Sequence, residues 1–271
     1  MTQSNAERAR TFRRLHAGPE LLILANAWDA ASARLIESLG AKAIATTSAG
    51  VAWSHGYPDG STLPIELLVA TVTDIARVIA VPLTADVEDG YSDDPVEAAE
   101  NVARAVAAGA VGINIEDGTG TPDLLCAKIE QAKRAAASLG VDLFVNARTD
   151  VYLRRLAEGE AALRESIARA HHYRAAGCDG VFVPGVIEPK HIRALAEAVE
   201  LPLNVLAWPG LPGAAELRTL GARRLSAGAA IATAAWSRTR AAATAFLAEG
   251  QIPTPSEPAV TSRDLNAMFG G

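Results

Sequence analysis

The sequence predicts an α/β chain closed into one (β/α)8 TIM barrel, and three observations carry that expectation. Eight short runs of apolar and β-branched residues recur along the chain, and an alanine-rich helical segment follows each. Most of the runs are continuously apolar, as strands buried on both faces are. The length of 271 residues suits one barrel, and eight strand–helix units in about 230 residues favour closure over an open sheet.

In chain order the strands are expected at residues 21–28, 43–47, 82–88, 111–117, 142–149, 180–184, 202–207 and 223–227. Helices are expected at 30–39, 95–108, 122–139 and 160–176, ending at Gly40, Gly109, Gly140 and Gly177. Glycine just past a helix supplies the left-handed cap, and Pro95 and Pro122 suit a first helical turn. Strict alternation implies a parallel sheet with right-handed crossovers. A last helix, roughly residues 230–247, precedes a proline-bearing tail. No linker divides the chain. A single domain over 1–271 is therefore expected, with the barrel at about 20–248 and a tail at about 249–271 that packs on a neighbour or frays.

Composition removes several classes of function. The chain is 49% hydrophobic and 21% charged, which provides a large core and argues against disorder. A net charge of -6 lacks the basic footprint of a nucleic-acid binder, while leaving room for arginines that hold a small anion. The two cysteines, Cys126 and Cys178, have no metal-type spacing, which fits a reducing compartment. The N-terminus carries charges where a secretory signal needs an apolar run, and no run approaches the roughly 20 residues of a membrane span. A cytoplasmic protein without a membrane partner is expected.

Barrel enzymes draw their catalytic groups from the C-terminal ends of the strands, and the polar residues collect there. The third strand runs into Asp86, Glu88 and Asp89, the fourth into Glu116 and Asp117, and the fifth into Asn146, Arg148 and Asp150. Residues two apart on a strand share a face, so Asp86 with Glu88, Asn114 with Glu116, and Asn146 with Arg148 are expected to point together. Converging carboxylates need protons, an arginine or a metal to compensate them. Hard oxygen donors without histidine suit Mg²⁺ or Mn²⁺, which makes Asp86, Glu88 and Glu116 the candidate metal site. The competing structural reading is a buried Glu116–Arg148 ion pair, with Asp86 and Glu88 capping the next helix. Ser48-Ala49-Gly50 is a small-residue turn able to aim backbone N–H groups at a carboxylate or oxyanion. Gly210, Gly213 and Gly228 could form a phosphate pocket, although turn chemistry explains them equally well.

Five motifs stand in order along the strands: Asn26-Ala27-Trp28-Asp29 with Ser32-Ala33, Thr47-Ser48-Ala49-Gly50, Asp86-Val87-Glu88-Asp89-Gly90-Tyr91, Ile115-Glu116-Asp117 and Asn146-Ala147-Arg148-Thr149. On them the chain resembles the isocitrate lyase/phosphoenolpyruvate mutase superfamily, of the carboxyvinyl-carboxyphosphonate phosphorylmutase type, over nearly the whole barrel. The resemblance implies Asp86 as the main metal ligand, with Glu88 and Glu116 holding metal-bound waters. It implies Ser48, Ala49 and Gly50 as the cradle of the substrate carboxylate, and Arg148 as the partner of a substrate anion. It also matches Asp59 to an aspartate near the metal, so that Arg148, Glu116 and Asp59 become the candidate catalytic residues. A homodimer or homotetramer with swapped C-terminal helices is implied as well.

The resemblance also marks a departure. The lyase branch carries a Lys-Lys/Arg-Cys-Gly-His loop after the fourth strand and the mutase branch a Lys-Thr-Asn-Ser type loop, whereas here Gly118-Thr119-Gly120-Thr121-Pro122-Asp123 matches neither. Gly185 stands after Pro184, where lyases have glutamate. The expected function is Mg²⁺-dependent cleavage of a C–C (or P–C) bond in a small 2-oxo or 2-hydroxy acid through a metal-stabilised enolate. A non-catalytic 2-oxo acid binder is the alternative. A Schiff-base aldolase needs a lysine at a strand end, and Lys42, Lys128, Lys133 and Lys190 lie elsewhere. Cys126 reads as a small buried hydrophobe in a helix. His55 reads as a surface loop residue, and His171, His172 and His191 as structural or solvated. Tyr91 could join a lid, Asp94 reads as a helix N-cap, and Trp28, Asn204 and Trp208 either line the pocket or pack the core.

Overall fold

The computed structural model describes residues 4–252 and 260–270. Its strands are β1 (Leu22–Leu24), β2 (Asn26–Ala27), β3 (Ile44–Thr46), β4 (Leu83–Asp86), β5 (Gly112–Glu116), β6 (Phe144–Arg148), β7 (Gly180–Phe182), β8 (Leu203–Leu206) and β9 (Ala222–Ser226). Every pairing is parallel, in the order β1-β9-β8-β7-β6-β5-β4-β3-β2. The eight expected runs contain these strands, except that β9 begins one residue early. The first run is divided at Ala25: β1 pairs with β9 while β2 pairs with β3, so one strand joins both edges and the sheet wraps into a barrel.

The helices are α1 (Asn5–Ala17), α2 (Ala30–Ser38), α3 (Ser48–Ser54), α4 (Ile65–Val78), α5 (Pro95–Ala107), α6 (Pro122–Ser138), α7 (Gly159–Ala175), α8 (Pro189–Val199), α9 (Ala214–Thr219), α10 (Ala230–Glu249) and α11 (Ser262–Phe269). Local chemistry starts them: Asp94 caps α5 ahead of Pro95, and Thr121 caps α6 ahead of Pro122. Among the described residues no helix is long and apolar enough to cross a membrane. Of the tail, residues 253–259 lie outside the described residues; α11 lies against α2 of the same chain, where Met268 O accepts from Arg34 Nε at 3.1 Å.

Two features of the fold position the site. α1, which no expectation covered, opens on a Ser4–Glu7 capping box and covers the N-terminal ends of β5–β7. Phe12 lies edge-on to Phe144 with ring centres 5.4 Å apart, and a Cβ on Gly112 would come within 2.6 Å of the Phe12 ring. Arg13 fastens the helix through Asp142 and Asp179. Above this plug the barrel interior is polar. Asn146 Nδ2 and Arg224 Nη2 both donate to Asn114 Oδ1, at 2.8 and 3.1 Å, so Arg224 reaches across from β9 to β5. Ser226 Oγ donates to Asn204 Oδ1 at 3.0 Å.

His16 stacks on Phe144 at 4.2 Å between ring centres. Burial first, and then the Arg224 charge, hold its pKa down to about 3 from 6.5. The unfolded chain therefore binds a proton that the folded chain refuses. The stability this group contributes is complete above pH 6.5 and is lost as pH falls through about 3. Urea unfolding of the wild type should weaken between roughly pH 7 and pH 5 more steeply than that of His16→Leu; equal slopes would remove His16 from the acid response.

Candidate active site

The acidic shelf begins where β4 ends. Asp86 is its last residue, and the Asp86 N–H donates to Thr46 Oγ1 at 2.7 Å, which locks the ends of β3 and β4 together. The chain then turns sharply, with φ of 50° at Glu88, 92° at Gly90 and 61° at Tyr91. Left-handed backbone at Glu88 and Tyr91 costs roughly 1–2 kcal/mol each, and a dense set of bonds offsets it. Glu88 N donates to Asp86 Oδ1 (3.2 Å), Tyr91 N to Asp89 Oδ1 (2.9 Å) and Tyr91 OH to Glu88 Oε1 (3.0 Å). Ser61 donates to Glu88 Oε2 through its N–H, and to Asp89 Oδ1 through its hydroxyl at 2.8 Å. Because the strand stops at Asp86, the two-apart rule does not reach Glu88; this turn places it instead.

On the next strands the register sets Asn114 beside Asn146 and Glu116 beside Arg148. Arg148 Nη1 lies 2.6 Å from Glu116 Oε2, while its Nε and Nη2 donate to Asp150 at 2.6 and 3.1 Å. The ion pair of the structural reading is thus present, but Asp86 and Glu88 do not cap α5, whose cap is Asp94. Asp117 supports this wall from behind, accepting from Asp150 N, Arg169 Nη1 and Tyr173 OH.

The electrostatics show a surplus of negative charge. Burial raises the Asp86 carboxyl above its ordinary range, with Arg148 opposing. Burial raises Glu88 too, and the Asp86 charge adds to it. Glu116 is pushed up to about 8 by burial against the pull of Arg148, with Asp86 adding its repulsion. Burial works against the Arg148 charge, yet Glu116 and Asp150 more than offset it and hold its pKa above the usual value. Buried Arg224 is drawn down to about 9 by burial, with Asp86 its opposing partner, and so stays charged at neutral pH. Its Nη1 and the Nδ2 of Asn204 are buried donors without a protein partner.

The remaining expected residues divide. Ser48, Ala49 and Gly50 form the first turn of α3 rather than a free loop, and Thr47 makes no side-chain cap; the first N–H groups of a helix have no acceptor within it. A Cβ on Gly50 would lie 2.7 Å from Thr47 Cγ2 and 3.0 Å from Trp28 Cβ, so Trp28 forms the wall beneath this turn. Asp59 is exposed in the loop before α4 and acts on both Asp86 and Glu88 through its charge. His55 bonds Thr71 Oγ1 at 2.9 Å and faces α4. The Ala227 and Gly228 amides are taken up by Asn26 Oδ1, which removes Gly228 from any phosphate pocket. Cys126 sits on α6, where burial raises its thiol.

A cavity of about 580 Å³ opens beside the shelf, lined among others by Glu88, Glu116, Gly118, Thr119, Lys128 and Arg154. Among the described residues no three acidic, histidine or cysteine side chains form a ready-made metal cage, since Glu116 is turned to Arg148 and Glu88 to Ser61 and Tyr91. Sequence reasoning gave no site role to Ser61, Arg154 or Arg224, set Lys128 aside, and named Asp150 only as a polar strand-end residue. Only the run Arg148-Thr149-Asp150 carried a signal for any of them.

The family model described as phosphoenolpyruvate phosphomutase matches residues 12–247. An uncharacterized protein of Mycobacterium tuberculosis is 38% identical over 222 residues, covering 80% of this chain and 81% of that one. The oxaloacetate decarboxylase of Pseudomonas fluorescens is 31% identical over 242 residues, covering 83% and 80% of the two chains. The crystal structure of 2,3-dimethylmalate lyase, a PEP mutase/isocitrate lyase superfamily member, superposes with a TM-score of 0.85, at 26% identity over 97% of this chain and 95% of that one. With its parallel barrel and its acidic shelf at the strand ends, the chain belongs to the phosphoenolpyruvate phosphomutase family and is an enzyme of the PEP mutase/isocitrate lyase superfamily.

Proposed function

We propose that the chain is a Mg²⁺-dependent lyase that breaks the C–C (or P–C) bond beyond the carbonyl of a small 2-oxo acid. One observation carries this reading: Asp86, Glu88 and Glu116 gather at the ends of β4 and β5, where the Glu116 N–H bonds the Glu88 carbonyl at 2.9 Å and Arg148 pairs with Glu116 alone of the three. Burial holds all three carboxyls above their ordinary range, so the site favours an added cation. The donors are all oxygen; Glu116 is paired with Arg148 and Glu88 is held by neutral donors, while Asp86 accepts only from the Glu88 N–H. That fits an ion which takes one or two carboxylates and keeps its waters. Asp86 would hold Mg²⁺ directly, with Glu88 and Glu116 reaching its waters. Bound there, Mg²⁺ supplies positive charge where the substrate carbonyl gains negative charge. The first-turn N–H groups at Ser48–Gly50 receive the substrate carboxylate, against the wall of Trp28. Asn204 offers its free Nδ2 from the barrel interior. Arg148 fixes Glu116, and Asp59 adds negative charge at the rim. A decarboxylase and a lyase among the relatives support bond cleavage. The two cysteines are free, which suits a reducing cytoplasm. Exposed Ile231, Trp236, Phe246 and Leu247 on α10 support a homo-oligomer.

Asp86→Ala should abolish Mg²⁺ binding by calorimetry and lower turnover of a cleavable 2-oxo acid by about 100-fold or more; full retention of both would sink the reading. Glu116 ionises near 4.5 unfolded and near 8 folded, so the metal-free stability it contributes is present below 4.5 and lost as pH rises through about 8. A cation needs the ionised form, so thermal stabilisation by Mg²⁺ should grow from roughly pH 6.5 to pH 8.5 and flatten in Glu116→Gln. Light scattering should give a dimer or tetramer mass, whereas a monomer at micromolar concentration would remove the oligomer.

A further inference from the structure

One buried histidine has no part in the proposed chemistry. His191, in the first turn of α8, is 3% exposed. Its Nδ1 lies 3.0 Å from the hydroxyl of Tyr152, in the loop after β6. Burial raises the Tyr152 hydroxyl above its ordinary pKa, and the Glu188 and Glu160 charges add to it. Tyr152 therefore keeps its proton and donates it to Nδ1. The ring proton of neutral His191 then sits on Nε2, toward Glu160 Oε1 at 3.4 Å. Glu160 is exposed and shared with Lys190 at 2.8 Å, and Glu188 Oε2 lies 3.8 Å from Nδ1. Exposed ion pairs of that kind contribute little, so the strength of this clasp lies in the Tyr152–His191 bond.

The clasp bears on the site through a short turn. Residues 150–156 close on themselves: Arg154 N donates to Asp150 O (2.8 Å), Arg155 N to Tyr152 O (3.2 Å) and Leu156 N to Val151 O (2.9 Å). The head of the turn is Asp150, which accepts from Arg148 Nε at 2.6 Å. Its body lies on Gly185, where a Cβ would stand 3.3 Å from Leu153 N. Among the described residues, the Tyr152 hydroxyl makes the one hydrogen bond from residues 151–156 to a distant segment. Beyond buried Val151 the turn is half-buried or exposed, so little apolar packing stands in for that bond.

We infer that Tyr152 and His191 are positioning residues for the reaction. They fasten the 150–156 turn to α8, the turn holds Asp150 against Arg148, and Arg148 is thereby aimed at Glu116. The link from α8 to the acidic shelf runs through His191, Tyr152, Asp150, Arg148 and Glu116. Its effect on turnover rests on the proposed 2-oxo acid cleavage; its effect on Arg148 does not. A role for His191 confined to packing α8 makes a different forecast, because an apolar side chain of similar size would serve and would leave Arg148 undisturbed.

Nitrogen-15 NMR of arginine-labelled protein reads the Arg148 Nε–H directly, with its signal assigned by Arg148→Lys. Exchange of that hydrogen with water should quicken about tenfold or more in His191→Leu and in Tyr152→Phe. It should return to within about twofold of the wild type in His191→Gln, whose amide can accept from Tyr152 and donate to Glu160. With oxaloacetate and Mg²⁺ as the probe, turnover should fall about tenfold in the first two variants and recover in the third. Unchanged Arg148 exchange in both His191→Leu and Tyr152→Phe would overturn the positioning role. So would a His191→Gln no better than His191→Leu, or quickened exchange with turnover intact. If His191→Leu does not fold, Tyr152→Phe, which removes one hydroxyl, decides alone. A wild type that cleaves no 2-oxo acid would instead bring down the proposed function, and Arg148 exchange would still decide whether the clasp holds the turn.

Discussion

Everything at the open end of this barrel depends on holding Asp86, Glu88 and Glu116 close together out of water. Burial raises all three carboxyls, and repulsion adds to it: Asp86 acts on both Glu88 and Glu116, and Glu88 acts on Glu116. The fold answers with placed partners. Arg148 grips Glu116 and is itself held by Asp150, Ser61 and Tyr91 hold Glu88, and Asp86 is left without a counter-ion. That arrangement compensates one carboxylate by charge, holds the second with neutral donors and leaves the third open, which is the feature the proposed cation would answer. A purely structural cluster would have had every carboxylate paired.

The same constraint explains the polar barrel interior. A small barrel is usually filled by layers of branched aliphatic side chains. Here Asn114, Asn146, Asn204, Ser226 and Arg224 occupy part of that space and bond one another. Arg224 brings a full positive charge below Asp86 and is coupled through Asn114 to the neighbouring strand. Its cost is burial, and its effect on Asp86 is to favour ionisation.

The barrel was legible because its signals are local and repeated: apolar runs, proline at helix starts and glycine past helix ends. Asp86, Glu116 and Arg148 were legible for the same reason, since strand ends can be read from a period of two. Glu88 marks the limit. Its type was visible, but its placement comes from a left-handed turn fastened by Ser61 and Lys128, 27 residues before it and 40 after it in the chain. Contacts at such separation leave no periodic trace. Ser48–Gly50 read as a turn because glycine and serine are turn residues; tertiary packing against Trp28 made it helical. α1 had its capping box in plain view, yet its role as a plug is set by Gly112 and Phe144.

The division of the first strand at Ala25 has a mechanical consequence. β2 meets β3 through only two paired residues, Asn26 with Ala45 and Ala27 with Thr46, whereas β5 and β6 share five. That seam is one of three held by only two paired residues, beside β3–β4 and β7–β8, and it ends at the first turn of α3 and at Thr46, the residue that anchors Asp86. Amide hydrogens along the seam should exchange with solvent sooner than those of β5 and β6. Local opening would then loosen the first turn of α3 and the acidic shelf together, so that the mouth of the barrel can open without unseating the rest of it.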